Sequence, residues 1–162
     1  MIAELGATDW GVVARAIHVL AVVVWIGSVW LVTMVLLPGM KNKATADWVR
    51  EFDAIEHRFA PQARIAVLLV LLSGLYMLYQ YDLWDRFTEV RYWWMDLMVA
   101  VWLLFALMLF AIEPFVFRHV VHKRAEQAPE ATLALMLWLH RALLALSLIA
   151  IFAAVGGSQG LF

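Results

Sequence analysis

The sequence predicts an all-α integral membrane protein: a four-helix bundle with both termini outside and an interfacial amphipathic helix between the first two spans. Three observations carry that expectation. Of 162 residues, 65% are hydrophobic and 15% charged, and the mean hydropathy is +0.84, which leaves too little polar surface for a water-soluble globule. Four apolar runs, at 11–37, 60–81, 92–117 and 131–155, each exceed the roughly 20 residues a helix needs to cross a bilayer. Lys and Arg are shared unequally among the connections, which orients the bundle.

The N-terminal stretch MIAELGATDW lacks the basic segment of a signal peptide, and the apolar run behind it is too long for a cleaved leader. It reads as a retained first helix. Lys41, Lys43, Arg50, Arg58 and Arg64 lie in or beside the first connection, and Arg118, Lys123 and Arg124 in the third. The tail before Arg15 and the tail after Gly156 carry neither Lys nor Arg. The positive-inside rule therefore places the first and third connections in the cytoplasm, with only Arg86 and Arg91 of the second dissenting.

In the first connection, Trp48, Phe52, Ile55 and Phe59 recur at three- and four-residue spacing, the pattern of an amphipathic helix at the membrane surface. It feeds the second span near Pro61. The second connection, QYDLWDRFTEVRYWW, is an aromatic belt where the chain turns at headgroup level. Pro114, near the end of the third span, predicts a kink that presents Glu113, affordable where a neighbour satisfies the freed carbonyl. Ser73 and Gly74 on the second span, and Ala150, Ala154, Gly156 and Gly157 on the fourth, permit close helix approach.

Function is bounded first by exclusion. No phosphate-binding loop, dinucleotide turn or metalloprotease helix is present, and nothing supports nucleic-acid binding. With no cysteine, disulfides, thiolate metal sites, iron–sulfur clusters and thioether-linked haem are ruled out. Chemistry must sit in the bundle, where ionisable groups are costly enough that several kept together mark a buried site. Those groups are Arg15, His18, Asp96, Glu113, His140 and Arg141, with His57 and Arg64 at a membrane edge.

A rise of about 1.5 Å per residue sorts them by depth. His18 falls about 9 Å and Asp96 roughly 13 Å to the outer side of their span midpoints, with Arg15 and Gln80 near that level. Glu113 falls about 12 Å and His140 about 5 Å inward, with Arg64 near the inner boundary and His57 lower still. Two sites follow, an outer one around His18 and an inner one around His140, Glu113, Arg64 and His57. A gap of roughly 14 Å between His18 and His140 on straight helices argues against a shared iron.

Each residue has a chemical and a plain reading. Trp25 stands seven residues after His18, on nearly the same face, so the pair suggests a haem or metal pocket; the plain reading is a neutral His18 bonded to Asp96 or a carbonyl. His140 can ligate iron while Arg141, Arg64 and Arg58 pair with propionates. Alternatively His140 bonds Glu113 and Arg141 snorkels to the headgroups. His57 is a third candidate ligand. His119 and His122 read as a solvated basic patch. Asp96 and Glu113, about 100° apart in facing, are no paired-carboxylate site; an ion pair to Arg15 or Arg64 is the simpler account. Met34, Met77, Met95, Met98, Met108 and Met136 form no tight cluster for Cu(I).

Two stretches carry a resemblance. ARAIHVLAVVVWIGSVW resembles the opening helix of CopD-type and HemJ-type membrane proteins, where a His is followed seven residues later by Trp and then small residues. FDAIEHRFAPQARIAVLLVLLSGLY is similar to their interfacial Glu-x-Arg segment running into a second span with Ser-Gly. The resemblance covers all four helices in order. HemJ-type proteins are protoporphyrinogen oxidases associated with haem b, so it implies a haem-linked role for His18, with Glu56 and Arg58 as the matching Glu and Arg. The chain departs from that pattern at Asp96, where the family has Lys. CopD-type proteins are linked to copper uptake and carry further spans beyond these four.

The resulting expectation is a bacterial inner-membrane protein that binds b-type haem through His18 and His140. It would pass electrons to or from quinone or a redox protein as a possible oxidoreductase, with porphyrin oxidation as a subtype and homo-oligomerisation open. The alternative is a cofactor-free copper- or proton-handling transporter, or a structural subunit.

Overall fold

The computed structural model describes residues 7–41 and 45–161, with side chains for 10–41, 48–113 and 123–161. Lys43 lies outside the described residues, as do the side chains of Arg118, His119 and His122. The described residues are helical almost throughout, without strands. Helix α1 (Ala7–Leu31) continues through a π-helical segment, Val32–Leu36, into a last turn at Leu37–Gly39. Helix α2 spans Thr45–Gln80. After two short 3-10 turns, α3 (Trp93–Leu107) passes into a π-helical segment, Met108–Phe117, and then α4 (Arg118–Gln127). Helix α5 spans Pro129–Ser158.

Four rods long and apolar enough to cross a membrane result: Trp10–Gly39, Trp48–Gln80, Val90–Glu113 and Pro129–Ser158. The protein is an integral membrane protein. Its rods pair by sequence neighbourhood, α1 chiefly along α2 and α3 along α5. The central core brings together Ala21, Trp25 and Ile26 of α1, Ala66, Val67 and Val70 of α2, Val101 and Phe105 of α3, and Leu144 and Ala150 of α5. Trp25 meets Phe105 edge to face at 4.9 Å between centroids, and Trp102 Nε1 donates to the Val67 carbonyl at 2.9 Å.

The segment expected as an interfacial amphipathic helix feeding the second span is the first part of α2, which runs unbroken through Pro61. Its apolar face turns inward. Trp48 and Phe52 pack with Leu37, Met40, Ala125, Leu133 and Met136, leaving Trp48 only 2% exposed. At 36 residues, a straight α2 is about 54 Å long, well beyond a hydrocarbon core of about 30 Å. Its apolar face is therefore covered by protein from α1, α4 and α5 where it outruns the lipid.

At the end of the bundle that carries the termini, helices α2 and α5 close in the same way. Asp82 takes a left-handed φ of 48° and Gly160 one of 77°. Leu83 N–H reaches back to Leu78 O at 3.1 Å, and Leu161 N–H to Gly156 O at 2.9 Å. These are Schellman caps, and Leu78 and Leu83 both pack on the cluster formed by Trp94, Met95 and Ala153. The small residues work as expected nearby: a Cβ on Gly157 would stand 2.2 Å from Trp94 Nε1.

Hydroxyl groups in the spans are satisfied locally. Ser28 donates to Val24 O, Thr33 to Val29 O, Ser73 to Leu69 O and Ser147 to Leu143 O, the back-bonding that lets polar side chains sit in a lipid-embedded helix.

Candidate functional site

A partly open cavity of about 170 Å³ lies between the four rods, toward the end that carries the first and third connections. Each rod supplies one face at helical spacing. Trp25, Ser28, Val29 and Val32 come from α1, and Phe52, Glu56, Phe59, Ala60 and Ala63 from α2. Phe105, Met108, Leu109, Ile112 and Glu113 come from α3 and its π-helical extension, and His140 and Leu143 from α5. The lining is aromatic and aliphatic apart from His140, two carboxylates and Ser28. The enclosed part is about the size of an apolar cavity that holds one aromatic ring, and its open side leaves room for something larger.

His140 is the chemical centre of this cavity. Its Nδ1 lies 2.9 Å from the Met136 carbonyl; a carbonyl only accepts, so Nδ1 carries the proton. The neutral ring then has its lone pair on Nε2, the nitrogen free for a ligand. A backbone carbonyl on the other ring nitrogen is the usual support of a metal-binding histidine.

Glu113 is held by Arg64, whose Nη2 donates to Oε1 at 2.9 Å, and Arg64 Nε also donates to the Leu109 carbonyl at 3.2 Å. The second bond answers the carbonyl expected to be freed by Pro114. In the π-helical register of Met108–Phe117, hydrogen bonds run from residue i to i−5. Position 114 would therefore serve Leu109, and proline has no N–H to offer. The π-helical turn presents Glu113 on the cavity wall. Arg64 completes both.

The inner site anticipated from depth is thus assembled in part: His140 and Glu113 line the cavity, with Arg64 behind Glu113, and Trp25 and Glu56 join them. Exposed His57 and Arg58 do not line it, because the cavity face of α2 runs through 52, 56, 59, 60 and 63. Arg141 is exposed, one residue round α5 from His140. Met108, Phe52, Phe59 and Phe105 line the cavity in addition to the site residues expected from the sequence.

The outer site is a different object. His18 Nδ1 lies 3.0 Å from Ser73 Oγ. Because that hydroxyl gives its proton to Leu69 O, His18 also holds its proton on Nδ1. Gly74 lets the ring lie against α2, with His18 Cε1 at 3.4 Å from where a Cβ would stand. His18 does not line the cavity, and Asp96 is not its partner: α1 packs along α2, whereas Asp96 is exposed on α3. Arg15 does not pair with Asp96 either; its guanidinium lies 5.9 Å from the centre of the Tyr81 ring. Among the described residues, no group of three or more His, Asp or Glu side chains is placed to hold a metal ion.

Comparison with known protein families, with curated proteins and with solved structures finds no match for this chain.

Proposed function

We propose that this chain is a membrane b-type haem protein of the CopD-like and HemJ-like superfamily that transfers electrons, with the haem bound in the inner cavity on His140. The observation that carries this reading is the His140 imidazole in an aromatic cavity, Nδ1 bonded to its own helix and Nε2 left for a ligand. His140 would supply an imidazole to the iron, the aromatic and aliphatic walls would flank the ring, and Arg64, tied to the wall through Glu113, would offer a cation.

When bound, the haem supplies one-electron redox chemistry. The chain's residues do the rest. Trp25, Phe52, Phe59 and Phe105 exclude water. Arg64 balances the charge of Glu113 and retains further N–H donors for a propionate. The electron partner is a membrane quinone or another redox protein. Porphyrin oxidation is the second subtype, weakened by Asp96 where the HemJ pattern has Lys. The chain sits in a bacterial inner membrane with both termini outside, placing the cavity nearer the cytoplasmic face.

An optical spectrum of the detergent-purified protein, oxidised and then dithionite-reduced, tests this. The expected result is a Soret band that shifts on reduction, is lost in His140→Ala and persists in His18→Ala. No Soret band after expression with ample haem supply would overturn the reading in favour of a copper- or proton-handling bundle or a structural subunit.

A further inference from the structure

We infer that the enclosed part of the inner cavity binds the ring of a lipid-borne hydroquinone and selects it over the oxidised quinone. The inference goes beyond the haem reading and does not rest on it, since it needs no iron. Size comes first. The enclosed volume of about 170 Å³ is close to that of an apolar cavity that takes up one benzene ring, about 150 Å³. A porphyrin is larger and would have to lie toward the open side. The walls suit a flat ring: Trp25, Phe52, Phe59 and Phe105 are aromatic, and Ala60 and Ala63 keep the α2 side low. Trp25 and Phe105 hold each other edge to face at 4.9 Å. The cavity lies between rods of membrane-spanning length and is partly open, which favours a ligand delivered from lipid and leaves an exit for its tail.

The hydrogen bonds on offer run one way. Besides Trp25, the lining residues with polar side chains are Ser28, Glu56, Glu113 and His140. Ser28 gives its proton to Val24 O at 2.7 Å and keeps oxygen lone pairs. His140 gives its Nδ1 proton to Met136 O at 2.9 Å and keeps a lone pair on Nε2. The carboxylates of Glu56 and Glu113 only accept. Arg64 donates to Glu113 and to the Leu109 carbonyl from behind the wall and is not part of the lining. The indole N–H of Trp25 is sealed within the packing, whereas Nε2 of His140 is not. The lining therefore presents acceptors alone, and such a site holds a ligand by the protons the ligand brings. A hydroquinone carries two O–H donors across one ring. Its quinone carries two carbonyls, which would set lone pair against lone pair. A site built to pair a substrate O–H rejects the analogue that lacks it. A neutral donor is favoured over a cation because Arg64, at 2.9 Å, already balances the charge of Glu113.

The test uses the full chain in lipid nanodiscs, with empty nanodiscs as the blank, and reads affinity by calorimetry without oxygen. The probes are a decyl-tailed benzohydroquinone, its quinone, its dimethyl ether and benzyltrimethylammonium. Wild type is expected to bind the hydroquinone at least about tenfold tighter than the quinone or the ether, the worth of a hydrogen bond left unmade. His140→Ala should narrow that preference, and Ala63→Leu, which fills the α2 side, should weaken binding of the hydroquinone. Equal affinity of wild type for hydroquinone and quinone, or uptake of neither, overturns the inference. Tighter binding of benzyltrimethylammonium assigns the cavity to an aromatic cation and overturns it as well. Wild-type affinities in both variants place the ring elsewhere, with the same consequence. The comparison of probes in wild type needs no variant to fold, and the optical spectrum of the same preparation reports haem separately, so either reading can fail without the other.

Discussion

At the scale of single residues, the two half-buried histidines of the spans show how neighbours divide one chemistry. Both carry the proton on Nδ1, but His18 spends it on Ser73 against a helix wall and His140 on its own helix beside a cavity. The same logic of local space ranks the glycines. At Gly157 an added Cβ meets the indole of Trp94, which is only 7% exposed and fixed in a packed cluster. At Gly11 the obstacle is the hydroxyl end of Tyr81, half-buried at the rim. Gly157→Ala is therefore expected to destabilise by about 1–3 kcal/mol, the usual cost of overpacking. Gly11→Ala should cost less than about 1 kcal/mol, because a tyrosine tip can swing aside. Thermal unfolding in detergent checks the order; equal midpoints for the two variants would refute it. Neither contact is legible in the sequence, since spacing names small residues without naming what lies on them.

At the scale of elements, Arg64, Glu113 and the π-helical turn form one unit, and a double-mutant cycle reads it. Arg64→Gln removes the ion pair and uncovers the Leu109 carbonyl. With Arg64 and Glu113 side chains 34% and 19% exposed, the cost is set at about 1–3 kcal/mol, below that of breaking a fully buried pair. Pro114→Ala returns an N–H to position 114, so the helix can serve its own carbonyls and Arg64 becomes partly redundant. Arg64→Gln should then cost at least about 0.5 kcal/mol less in the Pro114→Ala background, measured by denaturant unfolding in mixed micelles. Strict additivity would mean that Arg64 does not compensate for the proline. Much of this unit was legible: Pro114 announced a freed carbonyl, and depth put Arg64 and Glu113 at neighbouring levels. The register was not, because apolar residues surround Pro114 on every face and no periodicity separates α from π there. The facing of the first part of α2 was not legible for a related reason. Trp48, Phe52 and Ile55 have the same spacing whether they face lipid headgroups or Leu37 and Met136, and only tertiary packing decides between them.

At the scale of the whole molecule, the distribution of apolar surface sets the medium and the distribution of charge sets the direction. In the most hydrophobic window of each rod no more than 28% of residues are buried inside the protein, so most of the apolar side chains there face outward, where a bilayer covers them at no hydration cost. Lys41, Arg50, Arg58, Lys123 and Arg124 are exposed at one end. At the other, Arg86 and Arg91 lie 4.7 and 4.6 Å from the centre of the Tyr92 ring, and Arg91 also pairs with Glu89 at 2.7 Å. The two dissenting arginines are thus tied to the aromatic belt, and the positive-inside bias is left to the first end. The absence of native cysteine makes the orientation directly measurable with single-cysteine variants. Val90→Cys, at a site 88% exposed, and Gln159→Cys should react with a membrane-impermeant maleimide in cells whose outer membrane alone is opened. Lys41→Cys and Lys123→Cys should react only after the inner membrane is permeabilised. The reverse pattern would turn the bundle over and put the His140 cavity on the outer side. Under the haem reading proposed above, an electron partner would then be sought on that side, while the cavity and the residues lining it would stand unchanged.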